Sequence, residues 1–473
     1  MCLHTIALCL LAVGVGDDQL RIDLTDWPIK ITNRSQLFVD NFLVARRADI
    51  EFTVHQPEKH PANPLLVPTS KWERLVLAYG SVLREPDSGR FRMWYTNDTG
   101  IAYAESSDGI RWEKPPVGMT LGGVKTNVLT RGHRRRSDTL TVFLNPERSD
   151  PAKKYLAYVF EYRFPDKDGV REKLREGLYL RTSPDGIHWT ERREPVMYSM
   201  WRNAEDRPPA TSNNLGDVHH ISWDPRLRKF IGHVKLELGA RVRGFTESDD
   251  GIHWASPRLI LKADQRDRPG DQLYSMIAFP YQSTWIAYLG LFHAETDDRL
   301  DIQLATSRDG RHWSRPHRSP FLANGPEGSW DWGVLHMAAN PPLRVGEKLY
   351  IYYGGYDTVH SARLPQVKRF GIGLATLRPD GFVSVDARQQ PGTLITRPLK
   401  FDGRRLVLNA AVGTGGSIRV GLLHQDYSPV PGFETDACLP LTGDSLALPV
   451  RWQQHAELPA ATAHHYRLQF EMT

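Results

Sequence analysis

Acidic residues recur just ahead of apolar, strand-like runs at four well-separated places in this sequence. They are Asp138 in Arg136-Ser137-Asp138-Thr139-Leu140, Asp217 in Leu215-Gly216-Asp217-Val218-His219-His220, Asp271 in Gly270-Asp271-Gln272-Leu273-Tyr274 and Asp331 in Ser329-Trp330-Asp331-Trp332-Gly333. Taken singly, each fits a strand-start cap or turn residue. Four of them converging on one space would be costly unless they hold a cation, share protons or meet a polyol. Carboxylates facing each other across a pocket are what glycosidic cleavage needs: one as general acid on the leaving oxygen, a second as nucleophile or activator of water. Asp138, Asp217, Asp271 and Asp331 are therefore catalytic candidates, with Glu327 in the loop Asn324-Gly325-Pro326-Glu327-Gly328 beside them. Tyr274, Trp330 and Trp332 offer faces for a sugar ring. With His219 and Glu237 they make up the substrate-binding candidates. Glu161, Trp201 and Tyr356 are further candidates of the same kinds, and every aromatic residue named here also suits core packing.

Such residues meet only if a repeated unit brings its strand starts to one place. The pattern S-x-D-G-x-x-W supplies that unit. It occurs at Ser106–Trp112, Ser183–Trp189, Ser248–Trp254 and Ser307–Trp313, and a worn copy at Arg378-Pro379-Asp380-Gly381-Phe382 has Ser384 where the tryptophan would stand. Asp-Gly between two β-prone runs is a strong hairpin signal, expected to place both turn residues at φ > 0. The copies lie roughly 60–80 residues apart, which marks a repeated structural unit. A second landmark keeps step: Pro86, Pro146, Pro225, Pro280 and Pro341 each fall between the expected first and second strands. The runs between landmarks are short and rich in β-branched and aromatic residues, which favours strands over helices. Five four-stranded units around an axis predict an all-β, five-bladed β-propeller over residues 75–390, whose first strands line the central channel.

The flanks read differently. Residues 1–17 carry an apolar run suited to a secretion signal, although no Lys or Arg precedes it, and are too short to span a bilayer. Export predicts a secreted or periplasmic protein. Residues 18–74 form an arm, with Gln36–Asp40 and Phe42–Val44 expected as a strand pair. Residues 391–473 lose the repeat and predict a small β-sandwich-like module. Only three cysteines are present, two of them in the leader, which leaves Cys438 without a disulfide partner and excludes a Cys-based metal site. The net charge of +5 is small for 473 residues, and no nucleic-acid signature accompanies the basic run at 131–136. No cofactor motif is present, though several Asp residues with water could coordinate a Ca²⁺ ion in the channel.

The repeated hairpins, together with Leu37-Phe38-Val39-Asp40, Tyr352-Tyr353-Gly354-Gly355, Gly371–Arg378, Pro429–Phe433 and Leu441–Ser445, carry a resemblance. The chain resembles bacterial proteins related to the N-terminal domain of glycoside hydrolase family 32. These belong with the invertase, levansucrase and arabinanase propellers. The resemblance implies a carbohydrate-active enzyme acting on furanosides or related sugars. The invertase motifs Asn-Asp-Pro-Asn-Gly, Arg-Asp-Pro and Glu-Cys have no counterparts here, so it transfers the fold and the pocket's location and no catalytic residue. Trp223-Asp224-Pro225 falls in a turn of the third unit and reads as structural. Two functions fit: a glycoside hydrolase acting on oligo- or polysaccharides, and a non-catalytic propeller that binds sugar.

Overall fold

The structure is a computed structural model that describes residues 28–131, 137–147, 149–161, 176–199, 215–362, 369–388, 390–459 and 465–473, and for residues 137 and 138 the backbone alone. Within those residues the secondary structure is strand, with two short 3-10 turns and no α-helix. The chain folds as a five-bladed β-propeller with a C-terminal β module. The inner strands are Val76–Arg84, Ser137–Leu144, His220–Asp224, Asp271–Tyr281 and Val334–Met337. Each pairs antiparallel with a second strand, which in blade five is Lys348–Tyr356, and that strand pairs with a third, as in Phe91–Asn97 with Gly100–Ser106. Blades four and five share one sheet through a single parallel pairing of Leu300 with Val334. Blade five takes its outer strand, Glu58–Lys59, from the N-terminal arm, where Lys59 pairs with Ala375.

Inner strands of different blades have no ladder between them, so polar side chains must satisfy their backbone groups. Ser81 Oγ donates to the Ala339 carbonyl and accepts from Val142 N, tying blade one to blades five and two. Thr139 Oγ1 donates to the Asp217 carbonyl and accepts from His219 N. Ala278 N donates to His220 Nδ1 at 3.3 Å, and Ala78 N to His336 Nε2 at 3.0 Å. His219, His220, His233 and His336 are all buried, and burial is the main reason their pKa values fall to about 3. They are neutral structural residues.

The hairpins explain the repeat. In the first, Ser106 Oγ accepts from Gly109 N, while Asp108 Oδ1 accepts from Ile110 N and Arg111 N at 2.8 Å. The copies at Ser183, Ser248 and Ser307 make the same bonds. Only the glycine takes positive φ, from +73° to +77°; the Asp holds the turn through its side chain. The expectation of φ > 0 at both turn positions is thus corrected for these four copies. In the worn copy it is Asp380 that has positive φ.

Each glycine carbonyl is gripped by the preceding blade. Trp94 Nε1 of blade one donates to Gly186 O at 2.7 Å, and Tyr158 Oη of blade two to Gly251 O at 3.0 Å. His233 of blade three reaches Gly310 O at 3.3 Å, and Tyr352 of blade five closes the ring on Gly109 O at 2.8 Å. These residues occupy one register position: each lies three residues after the one facing the end of the third strand. Blade four's equivalent is Tyr288, whose hydroxyl is buried without a partner among the described residues. The joint to blade five uses Tyr281 Oη on Asp380 Oδ1 instead.

Some local expectations change. Gln36–Asp40 is not a strand; Asp40 accepts from Phe42 N and caps a 3-10 turn at Asn41–Leu43, after which Val44–Ala48 is the strand. Pro280 lies inside its inner strand, near the end, rather than in the turn beyond it. Val44–Ala48 of the arm joins Gly392–Thr396, Arg467–Met472 and Ile418–Leu423 in one sheet, and Val407–Ala411 pairs with Asp444–Pro449. A separate apolar core, including Leu394, Val420, Phe433, Trp452 and Phe470, fills this module. The arm therefore serves both the propeller and the C-terminal module. Among the described residues no helix is long and apolar enough to cross a membrane.

Candidate functional site

Inner strands run from one end of the propeller to the other, so their starts gather opposite the hairpins. A narrow axial cavity there is lined by Tyr79, Thr139, His219, Ser275, Ile277 and His336, among others. Its walls are neutral, and among the described residues no acidic candidate lines it. Asp217 contacts Lys235 Nζ, which also meets Glu237 at 3.6 Å. Lys235 and Glu237 are two apart on the second strand of blade three, so they share a face. The Lys235 side chain is 2% exposed, against 15% for Asp217 and 26% for Glu237, so the carboxylates open outward over a buried ammonium. Lys235 Nζ stands 5.3 Å from the centre of the half-buried Tyr274 ring, and Tyr274 Oη meets His360 Nε2 at 3.2 Å. Beneath them Arg243 is fully buried and donates to the carbonyls of Val218, His233 and Tyr274. Burial lowers its pKa to about 9, against the opposing pull of Asp217.

The other candidates are placed as follows. The Asp138 side chain lies outside the described residues. Its neighbour Thr139 binds the Asp217 carbonyl, which sets the backbones of Asp138 and Asp217 side by side at this end. Asp271 is buried against His293 Nδ1 at 2.7 Å, and Asp301 meets the other ring nitrogen at 3.3 Å. Burial opposes charge on His293, yet the two carboxylates outweigh it and raise its pKa. Asp331 is buried and pairs with Lys59 of the arm at 2.6 Å, while Tyr353 Oη and Ser329 Oγ also donate to it. Its bonds pin the arm's strand to blade five. Glu327 is exposed on its loop. Trp330 stacks on Tyr353 at 5.4 Å, within blade five's packing, and Trp332 lies under the Arg299 guanidinium at 5.4 Å. His219 is buried, its Nε2 on the Gly216 carbonyl at 2.9 Å, so it lines the cavity as a neutral ring. Glu161 is buried on Arg181 at 2.7 Å, Tyr356 packs on Phe370, and Trp201 lies outside the described residues. Asp224 is buried and accepts from Arg226 N at the turn of blade three, as a structural role requires.

Sequence reasoning passed over Lys235, Arg241, Arg243, His293 and His360. A lysine inside the apolar run Phe230-Ile231-Gly232-His233-Val234-Lys235-Leu236 was the available signal, since an interior charge needs a partner. His360 sits in a loop and carries no such signal. Among the described residues no three His, Cys, Asp or Glu side chains are grouped to hold a metal ion.

No family model matches the chain. It is similar to the A type blood N-acetyl-alpha-D-galactosamine deacetylase of Flavonifractor plautii, 26% identical over 294 residues, or 53% of this chain and 35% of that protein. The match thus spans about a third of that relative's length. Among solved structures it is similar to an N-acetylgalactosamine deacetylase from F. plautii in complex with blood group B trisaccharide, with TM-score 0.45 and 17% identity over 71% of this chain and 97% of that one. It is also similar to a thermostable family-43 glycoside hydrolase, with TM-score 0.45 and 14% identity over 71% and 98% of the two chains. A third likeness is to a structure from the GH130 family of mannoside phosphorylases and hydrolases, with TM-score 0.46 and 13% identity over 69% and 95%. None of these is a family 32 enzyme.

Proposed function

We propose that this chain processes carbohydrate at the strand-start end of its channel, hydrolysing a glycosidic bond of an oligo- or polysaccharide. The observation that carries the reading is Asp217 and Glu237, two partly open carboxylates sharing one buried ammonium beside an aromatic face. In this reading Asp217, in direct contact with Lys235, serves as nucleophile or base. Glu237, farther from the ammonium and more open, donates the proton to the leaving oxygen. Tyr274 supplies the face on which the sugar ring packs. The sequence similarity to a sugar deacetylase supports a carbohydrate ligand and leaves the bond to be cleaved open. The export reading of residues 1–17 accompanies this function, and N-terminal sequencing of the mature protein checks it.

A second reading, a sugar-binding propeller without catalysis, has its own support. Asp217, Asp271 and Asp331 are all engaged with cationic or hydrogen-bonding partners. Reducing-end and acetate release across a glycan panel separates these readings. Asp217→Asn and Glu237→Gln keep shape while removing charge and proton, and each should cut turnover by a factor on the order of 10² or more with binding retained. Full activity in both variants moves the chemistry elsewhere, with Asp138 next. Acetate release without new reducing ends makes the reaction deacetylation, and binding without any release makes the protein a lectin.

A further inference from the structure

Beside Tyr274 the described cations are answered unequally. Lys235 is matched by Asp217 and Glu237. Two guanidiniums near them form no ion pair among the described residues. Arg243 is spent on three backbone carbonyls. Arg241 is half-buried, and the acceptor for its guanidinium is the neutral Gln272 Oε1, 2.7 Å from Nη1. Its guanidinium lies 5.5 Å from the Tyr274 ring centre and 5.3 Å from that of Phe292, so aromatic faces fix its place. Its Nε is buried without a partner among the described residues. An arginine side chain offers five N–H donors in a fork that fits a planar carboxylate through two parallel bonds. Here one of the five is used, on a residue already held in position by two rings. A neutral sugar hydroxyl can take one such bond, whereas a carboxylate takes two and pairs its charge with the guanidinium.

We infer that the sugar bound beside Tyr274 carries a carboxylate, as a uronic acid does, and that Arg241 receives it and sets specificity. The inference rests on the carbohydrate-processing reading and deepens it by naming the substrate class.

The experiment is isothermal titration of the whole protein with uronate-containing oligosaccharides and their methyl-esterified counterparts, with reducing-end release followed in parallel. Wild type should prefer the acids by about tenfold or more, the scale of hydrogen bonds to a charged group. Arg241→Gln, its fold checked by circular dichroism, should bind acid and ester alike. Arg241→Lys keeps the charge and loses the fork, so it should retain only part of the preference. Equal affinity for acid and ester in wild type overturns the inference. A preference that survives Arg241→Gln overturns the role of Arg241. Cleavage of neutral glycans alone would sink the uronate inference and leave the hydrolase reading standing. Uronate binding without cleavage would do the reverse, and if neither class binds, both fall.

Discussion

The two ends of the propeller are built on different rules. At the hairpin end, four blades repeat one set of bonds: Ser and Asp side chains hold the turn, and the preceding blade donates to the glycine carbonyl. At the strand-start end the blades differ. Blade three presents Asp217 with Lys235, blade four Asp271 with His293 and Asp301, and blade five Asp331 with Lys59. Repetition at one end answers a need every blade shares, which is to satisfy its turn and lock onto its neighbour. Variety at the other end has no such common cause, and that is where a site for one particular ligand can be assembled. The glycines show how tight the repeated end is. A Cβ at Gly186 would stand 2.7 Å from the Trp94 ring, at a φ of +77° that side chains avoid.

The comparison makes predictions, and the largest effect belongs to the clasp. Trp94→Ala removes a fully buried ring and its bond to Gly186, and should cost about 3–5 kcal/mol in urea unfolding. Sugar affinity of the folded fraction should hold. A loss of affinity without a loss of stability would erase the division between the two ends.

Acid comes next. His219, His220, His233 and His336 are buried neutral, with folded pKa values of about 3 against about 6.5 unfolded. Their depressed values contribute stability that is present above pH 6.5 and lost as pH falls toward 3. The melting temperature should fall between pH 7 and pH 5. A flat profile there would show these rings to be accessible to protons.

The joint between blades four and five gives a smaller and sharper test. Tyr158→Phe and Tyr352→Phe each remove a clasp bond and should cost about 1 kcal/mol. Tyr288→Phe removes a buried hydroxyl that has no partner among the described residues, so it should be neutral or stabilising. Equal losses in all three would mean the fifth hairpin is clasped like the others.

The smallest effect is on the alkaline side. His293 has a raised pKa between Asp271 and Asp301, so its contribution is complete below the unfolded value and lost as pH rises through the folded one. His293→Gln should flatten stability above neutral pH, as chemical denaturation at stepped pH would show. Loss of stability at low pH alone in wild type and variant alike would remove His293 from this account.

Much of the hairpin end was legible in the sequence because its bonds are local. Ser, Asp and Gly within six residues determine the turn whatever surrounds it, and the five copies count the blades. The channel end was legible only as residue types. Asp138, Asp217, Asp271 and Asp331 look alike in sequence, each at or just ahead of an apolar strand-like run, and their neighbours do not reveal their partners. Their differences come from partners far along the chain: Lys59 lies 272 residues from Asp331, and His293 and Lys235 enter from second strands. The arm was ambiguous for the same reason, since Glu58–Lys59 is too short to declare itself a strand until blade five offers an open edge. Local hydrogen bonding is written in adjacent residues. Which carboxylate is neutralised, which stays open to a ligand, and which guanidinium is left without an anion depend on groups that only the closed ring brings together.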